Sequence, residues 1–229
     1  DYGTRSIASA FAVSSNTAFA RLCLSLGPDK VADMAHKLGI TSPLEEVGSI
    51  TLGTSLVTPL EMADAYATLA NGGVHYDPEC IERVVDRNGK VIVDNSNPQG
   101  ERVIDQEVAV ATIEVMKGVV TSGTGRAAAL WSLGQEAGGK TGTADDYKDN
   151  WFCGITPQLS VAIWLGDRAD ITKAKSIPGG VSAASVFSDF LGKALKGQQT
   201  EKFPKADKKP DYIKDFRDEE YHIGGNYGK

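Results

Sequence analysis

The sequence contains no apolar run approaching the roughly 18 to 20 residues that a membrane span requires. Its start, DYGTRSIASAFAVSSN, lacks a basic segment followed by an apolar one, so no signal peptide is expected within these residues. The polypeptide as it stands is expected to be soluble. It has no initiator Met and reads as part of a longer protein, which leaves an anchor elsewhere in the parent open. Cysteine is scarce: Cys23, Cys80 and Cys153 form neither a CxxC pair nor a Cys/His ligand set, which argues against zinc and predicts three small buried hydrophobes. His36, His75 and His222 are scattered and read as surface or loop side chains rather than ligands, so no metal and no cofactor is expected. Basic clusters are missing as well. With 24 Lys and Arg against 30 Asp and Glu and a formal charge of −6, a nucleic-acid partner is not expected, because phosphate neutralisation needs clustered cations.

What is present is a chain of 229 residues, 41% of them hydrophobic, long enough for one large domain with its own core. The first 26 or so residues are Ala-rich and interrupted by Ser14, Ser15, Asn16 and Thr17, which predicts two helices around a polar turn. A further helix is expected from about Asp29 to Leu38, after Pro28 and before Gly39. Pro59 opens LEMADAYATLANGG, with Leu60, Ala63, Tyr66, Ala67 and Ala70 expected on a buried stripe. Asn88-Gly89 between two β-branched runs predicts a hairpin of Ile81 to Val85 with Lys90 to Val93. Asp105 is expected to cap a long helix that buries Val108, Ala111, Thr112, Val115, Met116 and Val119. Two strands about Thr156, Pro157 and Gln158, then a helix from Val181 to about Leu195, complete the folded part. From residue 196 to 229 the composition turns highly charged and poor in aliphatics, a solvated tail ordered only where its aromatics dock. The order of elements predicts an α+β fold, with an antiparallel sheet, helices packed on it and a largely helical companion region.

GQEAGGKT, residues 134 to 141, matches a phosphate-binding loop, but such a loop needs a buried strand before it and a helix N-terminus after it. Thr141 is followed instead by Gly142, Thr143, Ala144, Asp145 and Asp146, which start no amphipathic helix, so nucleotide binding is the outsider. The same residues read as Lys140-Thr141-Gly142-Thr143 on a strand facing a cleft. A lysine there supplies fixed positive charge, hydroxyls bind a carboxylate, and a glycine lets a substrate backbone lie close, so that a peptide C-terminus can add as a further strand. A solvated surface strand is the bland alternative. A second cluster, Ser14-Ser15-Asn16, has the form SxN, and SxN followed by KTG is part of the signature of β-lactamases and penicillin-binding proteins.

VTPLEMADAYATLANGG, TSGTGRAAA and DNWFCGITPQLSVAIWLG fall in line with these two clusters. Together they resemble the transpeptidase domain of class A, bifunctional penicillin-binding proteins, from about Ser6 to Leu195. The resemblance implies an antiparallel sheet with helices on both faces plus a mainly helical subdomain, N-terminally incomplete. Residues 1–195 are then the transpeptidase domain without its SxxK segment and 196–229 a charged C-terminal tail. It also implies peptidoglycan D,D-transpeptidation: a serine of SxxK attacks a stem peptide ending in D-Ala-D-Ala, and the acyl group passes to an amine of a neighbouring stem, with β-lactams as mimics. By similarity Ser14 bonds the motif lysines and relays a proton to the leaving nitrogen, and Asn16 bonds the substrate amide and the SxxK lysine. Lys140 keeps the field positive, while Thr141, Gly142 and Thr143 bind the substrate, the Thr143 N–H serving as half of an oxyanion hole. No cofactor is implied, and the partners are stem peptides, β-lactams and the missing N-terminal segment.

The nucleophile is not expected in this chain, since no serine has lysine three residues on: Ser14 is followed by Thr17 and Ser188 by Leu191. Thr172 with Lys175 lies after KTGT, on the wrong side. The chain is therefore expected to begin just past SxxK and to be inactive alone. Its parent, by resemblance, is membrane-anchored on the extracytoplasmic face of a bacterium. The alternative is a non-catalytic module of the same fold that senses stem peptide or β-lactam without turnover.

Overall fold

A computed structural model describes residues 4–144, 149–167 and 181–211. The helical N-terminal region follows the local signals. Ser6 accepts a hydrogen bond from the Ser9 N–H and starts α1 (Ile7–Ala12), and a turn through Ser14 leads into α2 (Asn16–Leu26). Gly27, at φ 100°, breaks the chain direction, and α3 (Pro28–Lys37) begins on Pro28, whose missing N–H costs nothing in a first turn. α4 (Pro59–Ala70) starts on a capping box between Thr58 and Glu61.

Two small ribbons follow. β1 (Val74–His75) pairs with β4 (Glu101–Arg102), and β2 (Arg83–Val85) pairs with β3 (Val91–Asp94) through the expected Asn-Gly turn. Gly89 sits at φ 82°, and Asp86 Oδ1 accepts from the N–H groups of Asn88 and Lys90. α5 (Gln106–Thr121) then leads to the main sheet, where β5 (Gly138–Thr143), β6 (Asn150–Ile155) and β7 (Ser160–Leu165) run antiparallel in that order. α6 (Ala183–Ala194) closes the fold.

Strand alternation sends β6 side chains to two covered faces. Phe152 stacks edge-on against Phe187 of α6 at 4.9 Å, in a cluster with Leu130, Leu191 and Leu195. Ile155, three residues on, faces the other way and packs with Leu69 of α4, Ile113 and Met116 of α5 and Phe203. The expectation of helices on both faces of an antiparallel sheet holds. Phe203 is also the aromatic that docks the start of the charged tail, helped by Gln135, whose amide bonds the Glu201 carbonyl at 2.9 Å. Residues 212–229, and with them His222, lie outside the described residues.

Several expectations need correction. In α5 the buried residues are Ala109, Ile113, Met116, Val119 and Val120, while Val108 is 42% exposed. Apolar residues line both candidate stripes, and the close approach of Met116 to Gly138 decides which faces the sheet: a Cβ on Gly138 would come within 3.2 Å of the Met116 Cβ. Asp105 stands at the N-cap but makes no side-chain cap bond. In α4, Leu60 is exposed, and the most buried residues are Glu61, Ala65, Thr68 and Leu69, because the capping box turns Glu61 inward. Cys23 and Cys153 are buried, but Cys80 is exposed beside the projecting ribbon. His75 is not a free surface side chain: its Nε2 lies 2.9 Å from Asp64 Oδ2, and no Cβ fits at the adjoining Gly39. His36 Nδ1 bonds the Ile40 carbonyl oxygen.

Glu61 is the main polar anchor of the helical region. Its Oε1 accepts from the Thr41 N–H and hydroxyl and the Ser42 N–H, and its Oε2 from the Ser42 hydroxyl and the Thr58 N–H and hydroxyl. Burial pushes the carboxyl up, but the bonds from Thr58, Thr41 and Ser42 outweigh it and hold Glu61 well below the ordinary carboxylate range. A depressed folded-state value means stability that is fully present above the unfolded value, about 4.3, and lost as pH falls below it. Glu61→Gln is therefore expected to cost about 2–3 kcal/mol at pH 7 in thermal unfolding. The gap between variant and parent should narrow below pH 4, and a gap that does not change with pH refutes this account.

Candidate active site

The site forms where the α1–α2 turn meets β5. Ser14 has φ 56°, the one non-glycine residue in the left-handed region among the described residues. It holds that conformation because its N–H bonds the Phe11 carbonyl and the next N–H, of Ser15, reaches Ala10, which closes the C-terminus of α1. The turn presents the Ser14 hydroxyl to β5. There the Lys140 ammonium donates to Ser14 Oγ at 2.8 Å and to the Thr141 carbonyl at 2.7 Å. It also lies over the Phe11 ring, 5.8 Å from its centroid. Burial pulls the Lys140 ammonium down to about 8, since removal from water disfavours the charged form.

Beside this contact lies a polar cavity of about 310 Å³, lined by Ser14, Thr124, Thr141, Thr143, Asn150, Trp151, Ser182 and Ala184. Five segments converge on it: the α1–α2 turn with Ser14, the turn after α5, β5, β6 with Asn150 and Trp151, and the start of α6. β5 brings Thr141 and Thr143, and the turn after α5 brings Thr124, whose hydroxyl lies 2.6 Å from that of Thr141. The start of α6 brings Ser182, the residue that caps that helix. Asn150, paired with Thr143 in the strand register, ties two of them together: its amide donates to the Thr143 hydroxyl, and its Oδ1 accepts from the Ala183 N–H at 2.7 Å. Among the described residues β5 has a strand partner on one side only, so its other edge keeps backbone groups available to an added strand.

Of the residues singled out in the sequence, Ser14, Lys140, Thr141 and Thr143 are thus brought together. Gly142 does not line the cavity; it faces β6, where a Cβ would lie 3.2 Å from the Trp151 Cβ. Asn16 is the first residue of α2, is exposed, and does not line the cavity. Thr124, Asn150, Trp151 and Ser182 carry no signal of their own as site residues, although Thr124, Asn150 and Trp151 lie in segments that carried the resemblance. The phosphate-loop alternative fails on geometry: Gly139 and Lys140 lie inside a strand, and Asn150 begins another strand rather than a helix. No group of three or more potential metal ligands occurs among the described residues.

Residues 1–191 match the family described as penicillin binding protein transpeptidase domain. The chain belongs to that family. The domain is 37% identical over 196 residues to penicillin-binding protein 2D of Bacillus subtilis, an alignment that covers 82% of this chain and 28% of that protein. It is 32% identical over 234 residues to penicillin-binding protein 1A of Rickettsia typhi, covering 93% and 29%. The chain therefore spans less than a third of the length of these relatives. Among solved structures, it resembles PonA1 from Mycobacterium tuberculosis, with a TM-score of 0.80, 32% identity, and coverage of 94% of this chain and 64% of that one. PonA1 in complex with penicillin V gives a TM-score of 0.77, also at 32% identity, covering 90% and 60%. These likenesses bear out the transpeptidase resemblance and the fold it implied.

Two measurements test the geometry of this transpeptidase domain. In a 13C NMR titration, the Lys140 side chain is expected to titrate near pH 8, well below the ordinary lysine value; titration at the ordinary value refutes its burial. Ser14→Gly removes the hydroxyl and relieves the left-handed backbone, so it is expected to stabilise the fold by about 0.5–1 kcal/mol. Lower stability shows that the Lys140 bond outweighs the strain.

Proposed function

We propose that residues 1–195 form the C-terminal part of a peptidoglycan D,D-transpeptidase domain that works through a serine acyl-enzyme and is acylated by β-lactams, followed by a charged tail over 196–229. The observation that carries this reading is the 2.8 Å bond from Lys140 to Ser14, which joins SxN and KTGT across 126 residues of chain. The relatives supply context: one of the similar structures is described as PonA1 in complex with penicillin V.

In this reading the scissile peptide lies along the open edge of β5. Its terminal carboxylate sits against the hydroxyls of Thr141 and Thr143, near the Lys140 charge, and the Thr143 N–H faces the developing oxyanion. Ser14, held by Lys140, passes a proton to the departing D-alanine nitrogen. Asn16 is exposed beside this cleft and would engage only a substrate or segment that reaches it. The attacking serine belongs to an SxxK pair that these residues do not contain, so the chain by itself forms no acyl-enzyme. The parent protein is membrane-anchored and acts outside the cytoplasmic membrane on stem peptides.

The second reading is a sensor of the same fold that binds stem peptide or β-lactam without turnover. Labelling with a fluorescent penicillin, read on a denaturing gel, separates the two. The parent protein is expected to label covalently and this chain is not, whereas an unlabelled parent supports the sensor. In the labelled parent, Lys140→Ala is expected to slow acylation on the order of 100-fold. Because Lys140 is charged below about 8 and neutral above it, noncovalent affinity for a carboxylate ligand should hold steady up to pH 7 and fall above pH 8. Affinity that rises with pH contradicts the role given to the ammonium.

A further inference from the structure

We propose that Thr124 is a positioning residue for the substrate carboxylate, acting through Thr141; this rests on the reading of β5 as the strand that binds a terminal carboxylate. The two hydroxyl oxygens are 2.6 Å apart, a separation at which one must donate to the other. Both line the same cavity. With an anion in the cavity, the Thr141 hydrogen is needed for that anion, so Thr124 is the donor and Thr141 Oγ1 the acceptor. The chain of bonds then runs from Thr124 through Thr141 to the carboxylate. Each bond polarises the next, and with the Thr124 hydrogen on Thr141 Oγ1 the Thr141 hydrogen is left for the ligand.

The backbone around Thr124 is built to hold it there. Its N–H bonds the Ala12 carbonyl at 3.0 Å, which ties it to the end of α1 two residues before Ser14. The N–H groups of Gly123 and Gly125 both bond the Val119 carbonyl at the end of α5. Neither glycine tolerates a side chain easily: a Cβ on Gly123 would lie 2.2 Å from the Ala12 oxygen, and one on Gly125 3.0 Å from Phe152 and from Val119. A loop this confined presents its hydroxyl in one place, as a positioning group requires. Thr124 also links the two clusters of the site, since its backbone touches the Ser14 turn and its side chain touches β5.

The test uses the isotopically labelled chain and two ligands, diacetyl-L-lysyl-D-alanyl-D-alanine and its C-terminal amide, with affinities read from amide chemical-shift titrations. The wild-type chain is expected to prefer the carboxylate peptide. Thr124→Val should reduce that preference about fivefold, and Thr124→Ser should restore it. On a Thr141→Val background, Thr124→Val should change nothing further, because its effect passes through a hydroxyl that is no longer there. If Thr124→Val disturbs the dispersed amide spectrum, Thr124→Ala is measured in its place. An unchanged preference in the Thr124 variant alongside a reduced one in Thr141→Val overturns the proposal and leaves the strand reading standing. Additive losses in the double variant also overturn it, as they assign Thr124 a purely structural role. If Thr141→Val leaves the preference unchanged, or the wild type has none, the strand reading fails and the proposal goes with it.

Discussion

A half-buried lysine ammonium is the constraint around which this domain is arranged. Lys140 lies in a strand, and burial there favours its neutral form. Its charge is kept in place by what surrounds it: the Ser14 hydroxyl, the Thr141 carbonyl and the face of Phe11. Each of these has its own structural requirement. Ser14 must adopt a left-handed backbone, which the end of α1 imposes through two backbone bonds. Phe11 must stand on α1 and contact Phe19 of α2 edge-on. β5 must lie alongside α5, which Gly138 permits, since a Cβ there would come within 3.2 Å of the Met116 Cβ and 3.3 Å of the Lys117 backbone nitrogen.

The rest of the fold supports that meeting of elements. β6 and β7 give β5 one paired edge, and the two apolar faces of β6 anchor the sheet between α6 on one side and α4 with α5 on the other. The bonds of Glu61 fix residues 41, 42 and 58 to one carboxylate and so hold the long connection before α4. Asn150 couples the tip of β5 to the first turn of α6, so the far wall of the cavity is referenced to the same strand that carries the lysine. The cavity has polar groups from five segments and an open strand edge beside it, an arrangement suited to a short peptide with a charged end.

Much of this was legible from residue order alone. Pro28, Pro59 and Asn88-Gly89 announce their helix starts and hairpin by local chemistry, and each stands where expected. Helix faces were harder. In α5 apolar residues occupy more than one stripe, and the choice between Val108 and Ala109 was made by Gly138 on a strand distant in sequence. Glu61 and Thr68 are polar yet buried, because hydrogen bonds with other segments compensate their desolvation. Thr124 gave no sign of its place in the cavity, as a threonine in a glycine-rich turn is ordinary until a second hydroxyl faces it.

The sequence by itself determined the family, the helix starts at Pro28 and Pro59 and the Asn-Gly turn, since these rest on motif spacing and on the local preferences of Asn, Gly and Pro. Only the tertiary structure decided that Ser14 and Lys140 touch, that Asn16 and Gly142 stand outside the cavity while Asn150 and Thr124 line it, and that β5 keeps a free edge. The physical reason is range. Backbone preferences act over a few residues, whereas the burial that lowers Lys140 and the contacts that aim its neighbours arise when segments more than a hundred residues apart exclude water together.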